Sequence, residues 1–188
     1  DAASTDGCFA ITPSHGGLWP LVRFESVQAV SGLTDSDPVM GQALVVLAGN
    51  SSCESVALSA ARDWVVMHTP GLTRIRHQSP GWLQVNNAES LNCIESDSDK
   101  SWLDLTDVAA LRRVTGRGEW LRLRDDGAGM LSLRIDGPWK AVSLRCPGLR
   151  ELAVPEVGHL RLLDCHRLVS VEAGEHLRAE CYGSMPAS

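Results

Sequence analysis

Pairs of apolar residues with one residue between them recur along this chain at nearly regular intervals. The clearest units occupy residues 65–67, 83–85, 103–105, 121–123, 142–144, 160–162 and 177–179, and fainter ones occupy 22–24 and 45–47. Alternation with a period of two places both apolar side chains on one face of a short β-strand. Repetition every 17–21 residues predicts a stack of short coils whose strands form a parallel sheet.

A polar or sulfur-containing residue follows each clear unit at a fixed distance, where the chain leaves the strand. These residues are Thr69, Asn87, Asp107, Asp125, Cys146, Asp164 and Cys181, and most of these side chains can bond the backbone of a turn. A second apolar pair usually comes next and predicts the other wall of the coil: Leu72 and Ile75, Leu91 and Ile94, Leu111 and Val114, Leu149 and Leu152, and Leu168 and Val171. Because no coil buries its own apolar face, each depends on its neighbours.

This pattern resembles the leucine-rich repeat, whose core reads LxLxxN/C followed by an apolar residue. The run CPGLRELAVP at 146–155 is similar to the short bacterial repeats of the BspA type. The resemblance covers residues 43–182 and implies a mainly β, parallel solenoid of about seven or eight short coils. Coil lengths vary and Ala179 replaces a large apolar residue, so a generic right-handed parallel β-solenoid remains the alternative.

The first residues of the chain fit the repeat less well. Residues 1–42 predict an irregular N-terminal cap or a degenerate first coil, because prolines and glycines punctuate much of that stretch. Residues 183–188 are expected to form a C-terminal tail. Inside the repeats, residues 54–64 predict one short helix, since their apolar residues recur at helical spacing.

Four tryptophans, Trp64, Trp82, Trp102 and Trp120, stand immediately before the apolar unit in four successive coils. Strand alternation points them away from the core, and adjacent strands lie about 4.8 Å apart, so they predict a ladder of indoles. Exposed apolar patches tend to mark contact sites, and tryptophan is favoured at binding hot spots. The ladder is thus a platform for sugar rings or apolar peptide side chains, a structural feature in which the indoles pack on one another, or both.

Arginines occupy the same predicted face in the later coils. They are Arg122, Arg124, Arg145, Arg161 and Arg178, whereas the earlier coils present Gln84, Asn86, Asp104 and Thr106. Arginines on a rigid surface can form forked hydrogen bonds with carboxylates or phosphates. The alternative is a solvated face that neighbouring acids such as Glu119, Asp126 and Glu180 screen.

The overall charge narrows the choice of partner. The formal net charge is −6 and the sequence pI is about 5.5, which argues against a nucleic-acid-binding domain that relies on positive charge. An acidic segment of another protein is the better expectation for the arginines. No run approaches the roughly 18 apolar residues of a membrane helix, so no membrane span is predicted.

Signals for catalysis or metal binding are weak. The six cysteines contain no CxxC pair, so they do not have zinc-site spacing, and we expect several of them to be buried thiols. Asp125 and Asp126 are adjacent carboxylates, but they stand where the repeat places its turn residue. We therefore predict no catalytic residue, no metal site and no cofactor, and do not expect an enzyme.

The sequence thus predicts a non-catalytic binding module that presents a rigid repeat surface for protein–protein interaction. Its candidate binding residues are the four tryptophans and five arginines named above. A carbohydrate-binding or carbohydrate-active β-solenoid is the first alternative, and the recognition part of a larger effector enzyme is the second. Both a cytoplasmic protein and a secreted effector fit this interpretation.

Overall fold

A computed structural model describes residues 10–13, 20–24, 44–48, 54–58, 63–127 and 129–183. In this part of the chain every regular element is a β-strand. The larger sheet contains β1 Ala10–Pro13, β2 Pro20–Phe24, β3 Leu44–Ala48, β5 Asp63–Met67, β7 Trp82–Asn86, β9 Trp102–Thr106, β11 Gly118–Arg124, β13 Trp139–Arg145, β15 His159–Leu163 and β17 Arg178–Tyr182. The smaller sheet contains β4 Ser55–Leu58, β6 Arg74–His77, β8 Cys93–Ser96, β10 Arg113–Gly116, β12 Ser132–Asp136, β14 Glu151–Val154 and β16 Ser170–Ala173.

From β3 onwards the chain alternates between the two sheets, so each coil adds one strand to both. Each of these strands pairs in parallel with the strand one coil away, and the seven described strands of the smaller sheet are separated by six turns of the solenoid. The exception to parallel pairing lies in the predicted N-terminal cap, where β1 pairs antiparallel with β2. The architecture is a parallel β-solenoid, and the predicted fold class is confirmed.

The core consists of apolar columns that run along the solenoid axis. Leu83, Leu103, Leu121, Val142 and Leu160 pair in register across five consecutive strands of the larger sheet. Their side chains are buried, as alternation along a strand with one solvated face requires. Four of the five predicted second apolar pairs are buried against the facing sheet, whereas in the fifth pair Leu168 is partly buried and Val171 is exposed.

After several strands of the larger sheet, the next residue turns the chain by adopting a left-handed backbone. His68, Asn87, Asp107 and Asp164 have φ values of 52–54°, and Gly183 has φ 100°. Asn and Asp enter this region more readily than other non-glycine residues, which gives the repeated polar residue a physical reason. The predicted position is correct at Asn87, Asp107 and Asp164, whereas Asp125 and Cys146, which follow β11 and β13, do not adopt a positive φ. The left-handed residue is His68 rather than Thr69 in the first coil, and Gly183 rather than Cys181 in the last.

Both ends of the predicted repeat need a correction, of the strand phase at the N-terminal end and of the pairing register at the C-terminal end. Trp64 pairs with Leu83, so Trp64 and Val66 occupy the inward positions that we predicted for Val65 and Met67. In the last coil the residue that pairs with Leu160 is Ala179. The predicted partner was Leu177, two residues earlier in the chain. All four residues at 64–67 are apolar, so their pattern did not fix which alternate residues face the core.

The helix predicted over residues 54–64 is wrong. Ser55–Leu58 is strand β4, with Val56 and Leu58 buried and the intervening Ala57 exposed, and the next strand begins at Asp63. Short apolar segments satisfy both the helical and the strand period, and here pairing with β6 decides the outcome.

His77 is a titratable side chain inside the solenoid. His77 is fully buried at the end of β6, and neither ring nitrogen has a hydrogen-bond partner among the described residues. Burial lowers the pKa of His77 to about 4, because a charged imidazolium in an apolar interior loses its hydration. The unfolded chain therefore takes up a proton at a higher pH than the folded one does.

This burial predicts a pH-dependent stability that His77→Leu removes. Above about pH 6.5 His77 is neutral in both states. As the pH falls from about 6.5 to about 4, protonation of the unfolded chain should cost up to about 3 kcal/mol of unfolding free energy. Urea denaturation of the wild type and His77→Leu across this range measures the difference. The exposed His176→Gln should retain the wild-type slope, and parallel slopes for wild type and His77→Leu would contradict the assignment.

Candidate binding surface

Three tryptophans lie in register on adjacent strands of the larger sheet. Trp102 pairs with Trp82 on one side and with Trp120 on the other. Their exposed fractions are 39% for Trp82, 51% for Trp102 and 36% for Trp120. These three residues form the tryptophan ladder, and the prediction that they share one outward face is confirmed.

The ladder is bounded at both ends along the solenoid axis. On the N-terminal side, the carboxylate of Asp63 accepts a hydrogen bond of 2.8 Å from the backbone N–H of Trp82. On the C-terminal side, Ala141 pairs with Trp120. The exposed aromatic surface thus spans three strands.

The other two described tryptophans belong to the core. Trp64 has no exposed surface, so its predicted place on the ladder is wrong: it faces inward beside Val66. Trp139 is 1% exposed and pairs with Gly118. A Cβ atom at Gly118 would lie 2.2 Å from the indole of Trp139, so glycine is what allows this close packing.

An ion pair lies beside the ladder. Nε of Arg122 on β11 donates to Oδ1 of Asp104 on β9 at 3.0 Å, and its Nη2 donates to Oδ2. The side chain of Asp104 is 10% exposed and that of Arg122 is 45% exposed. The two residues, Leu103 and the three ladder indoles line a cleft of about 280 Å³.

A second set of polar contacts fixes the central indole. Nε1 of Trp102 donates to Oε2 of Glu119 at 3.3 Å, and Nζ of Lys140 donates to Oε1 of the same carboxylate at 3.2 Å. These donors lower the pKa of Glu119, and the hydrogen bond from the indole is the largest single cause. Trp102 is therefore held at its polar edge while half of its surface stays open.

All five predicted arginines lie on the outward face but in different columns. Arg122 and Arg161 occupy corresponding positions, with Ser143 between them. Arg124 pairs in register with Arg145. Arg178 pairs with His159 and thus continues the line of the ladder. Glu180, and not Arg178, pairs with Arg161.

Acidic neighbours neutralise three of the five predicted arginines. Arg122 contacts Asp104, and Nε of Arg145 lies 3.3 Å from Asp164 and 3.7 Å from Asp126. Arg161 lies 3.4 Å from Glu180 and over the ring of Tyr182. Among the described residues, Arg124 and Arg178 make no ion pair. The predicted screening by Asp126 and Glu180 is thus present, whereas Glu119 instead contacts Lys140.

The weaker chemical candidates lie elsewhere. Asp125 is 2% exposed, so it and Asp126 do not present two carboxylates to one surface. Burial raises the pKa of the Cys146 and Cys165 thiols, and both are free and buried, as expected for several cysteines. Within the described segments, no group of three or more His, Cys, Asp or Glu side chains is placed to hold a metal ion.

The repeat pattern did not predict the pairing of Asp104 with Arg122, although it predicted the correct face for both residues. The available signal was their spacing of 18 residues, which is one coil. Opposite charges at the same position of adjacent coils become cross-strand neighbours. The hydrogen bond from Trp102 to Glu119 has a similar origin, since the two residues are 17 apart.

Comparisons with known proteins add no relative. No protein-family model matches the chain, and neither a curated protein nor a solved structure does. In the described segments, the structure contains no helix with the length and hydrophobicity needed to cross a bilayer. The assignment of a function therefore rests on the geometry of the surface.

The different burial of the tryptophans predicts a clear difference in stability. Trp64→Ala and Trp139→Ala should each lower the unfolding free energy by about 3–5 kcal/mol, because they open cavities in the core. Trp102→Ala should cost no more than about 2 kcal/mol, since half of its indole is already solvated. Urea denaturation measures all three. A loss at Trp102 equal to that at Trp64 would show that the ladder is chiefly a structural element.

Proposed function

We propose that this chain is a non-catalytic binding module and that the tryptophan ladder with the adjoining Asp104–Arg122 pair is its binding surface. The observation that carries the proposal is the exposure of three in-register indoles on a rigid sheet. Indoles supply large contact areas with few rotatable bonds. We further propose that the module is related to the short bacterial leucine-rich repeats that its sequence resembles.

The rigidity of the surface supports this proposal. Each ladder strand is hydrogen-bonded on both sides, and the carboxylates of Asp104 and Glu119 fix Arg122 and Trp102. A preorganised surface loses little conformational entropy when a ligand binds. The binding groups thus stand on strands rather than on mobile loops, as a precise site requires.

Another protein is the ligand class that the sequence predicts, and carbohydrate is the second candidate. For a protein ligand, the expectation of an acidic segment loses support because carboxylates already pair with Arg122, Arg145 and Arg161. For carbohydrate, the favourable observation is that one cleft combines indoles with a fixed carboxylate and guanidinium. Under both readings the tryptophan ladder is the contact surface.

A comparison of two purified proteins on paired glycan and protein arrays tests the function. The wild type should give signals that the double variant Trp82→Ala/Trp102→Ala loses, because the variant lacks most of the exposed aromatic surface. The control is Arg113→Ala in the smaller sheet, which should keep the wild-type signals. Circular dichroism must show that the double variant is folded. Identical signals from the wild type and a folded double variant would refute a binding role for the ladder.

A further inference from the structure

The ladder offers an apolar strip of limited size. Its three rungs cover two strand spacings, or about 10 Å along the axis. With total side-chain areas of 150–250 Å² per aromatic residue, the exposed fractions amount to roughly 200–300 Å². A standard protein interface buries about 800 Å² on each partner, so the strip alone is small for a protein and suits a ligand of a few rings.

The polar groups of the cleft retain free hydrogen-bonding capacity. The described bonds between Arg122 and Asp104 use Nε and Nη2 of the guanidinium. A guanidinium carries five N–H groups and a carboxylate has about four acceptor positions. N–H donors of Arg122 therefore remain next to the indoles, in a geometry that the largely buried carboxylate of Asp104 fixes.

The charges beside the ladder are balanced within the protein. Asp104 pairs with Arg122, and Glu119 pairs with Lys140. A charged ligand would have to compete with these pairs and would gain little from the net charge of the cleft. A neutral ligand with an apolar face and a rim of hydroxyl groups matches the surface without breaking either pair.

We propose that the tryptophan ladder binds a short neutral oligosaccharide laid along the solenoid axis. The C–H faces of the sugar rings would pack on the indoles, and hydroxyl groups would hydrogen-bond to the guanidinium of Arg122, which Asp104 holds in place. About 10 Å of ladder accommodates roughly two to three rings, one per rung of about 4.8 Å. This inference rests on the proposed function and names the ligand class of the same surface.

Isothermal titration calorimetry with neutral hexasaccharides tests the inference. The probes are cellohexaose, maltohexaose, mannohexaose and N-acetylchitohexaose, with hexagalacturonate as the charged comparison. At least one neutral probe should bind saturably and change the tryptophan fluorescence. Trp102→Ala and Arg122→Lys should each weaken that binding about tenfold or more, since the first removes the stacking surface and the second the forked donor. Tyr182→Ala, an exposed aromatic of β17, should bind as the wild type does.

Three results would overturn the inference. They are no binding of any neutral probe at millimolar concentration, neutral binding that Trp102→Ala leaves intact, and binding of hexagalacturonate in preference to all neutral probes. Ladder-dependent binding of a protein on the arrays, without oligosaccharide binding, would also overturn it but would leave the proposed binding function standing. A folded double variant with unchanged array signals would remove the proposed function as well.

Discussion

Backbone hydrogen bonds between strands one coil apart are the constraint on which the rest of the structure depends. They hold residues 18–21 positions apart at a spacing of about 4.8 Å through the central coils. A single coil has no partner for its strand edges or its apolar residues, so the register and the core form together. Every column, apolar or polar, follows from that register.

The ladder and its ion pair show how register becomes surface chemistry. Trp82, Trp102 and Trp120 are distant in sequence and adjacent in space. The same pairing brings Arg122 to Asp104, 18 residues away in sequence. Glu119 lies 17 residues after Trp102, and its carboxylate accepts a hydrogen bond from the indole N–H. The surface is thus aromatic and polar at once, with its nearest charges paired.

The apolar pattern predicts the central coils well, and its error at the N-terminal end of the repeat has a physical reason. Between Leu83 and Leu162, polar residues separate the apolar ones, so alternation fixes which side chains face the core. In the run Trp64 to Met67 no polar residue marks the phase, and the buried indole of Trp64 was assigned to the wrong face. The Asp104–Arg122 ion pair was also not predicted, because it depends on exact register and side-chain reach, and coil lengths alone do not fix either.

The most direct test of the account is a nuclear Overhauser spectrum of the isotope-labelled protein. The parallel pairing of Leu83, Leu103 and Leu121 predicts cross-strand contacts between their backbone protons, each between residues one coil apart. Helical contacts between residues three or four apart in these segments, or cross-strand contacts in another register, would contradict it. The ladder and its proposed ligand would then lose their structural basis.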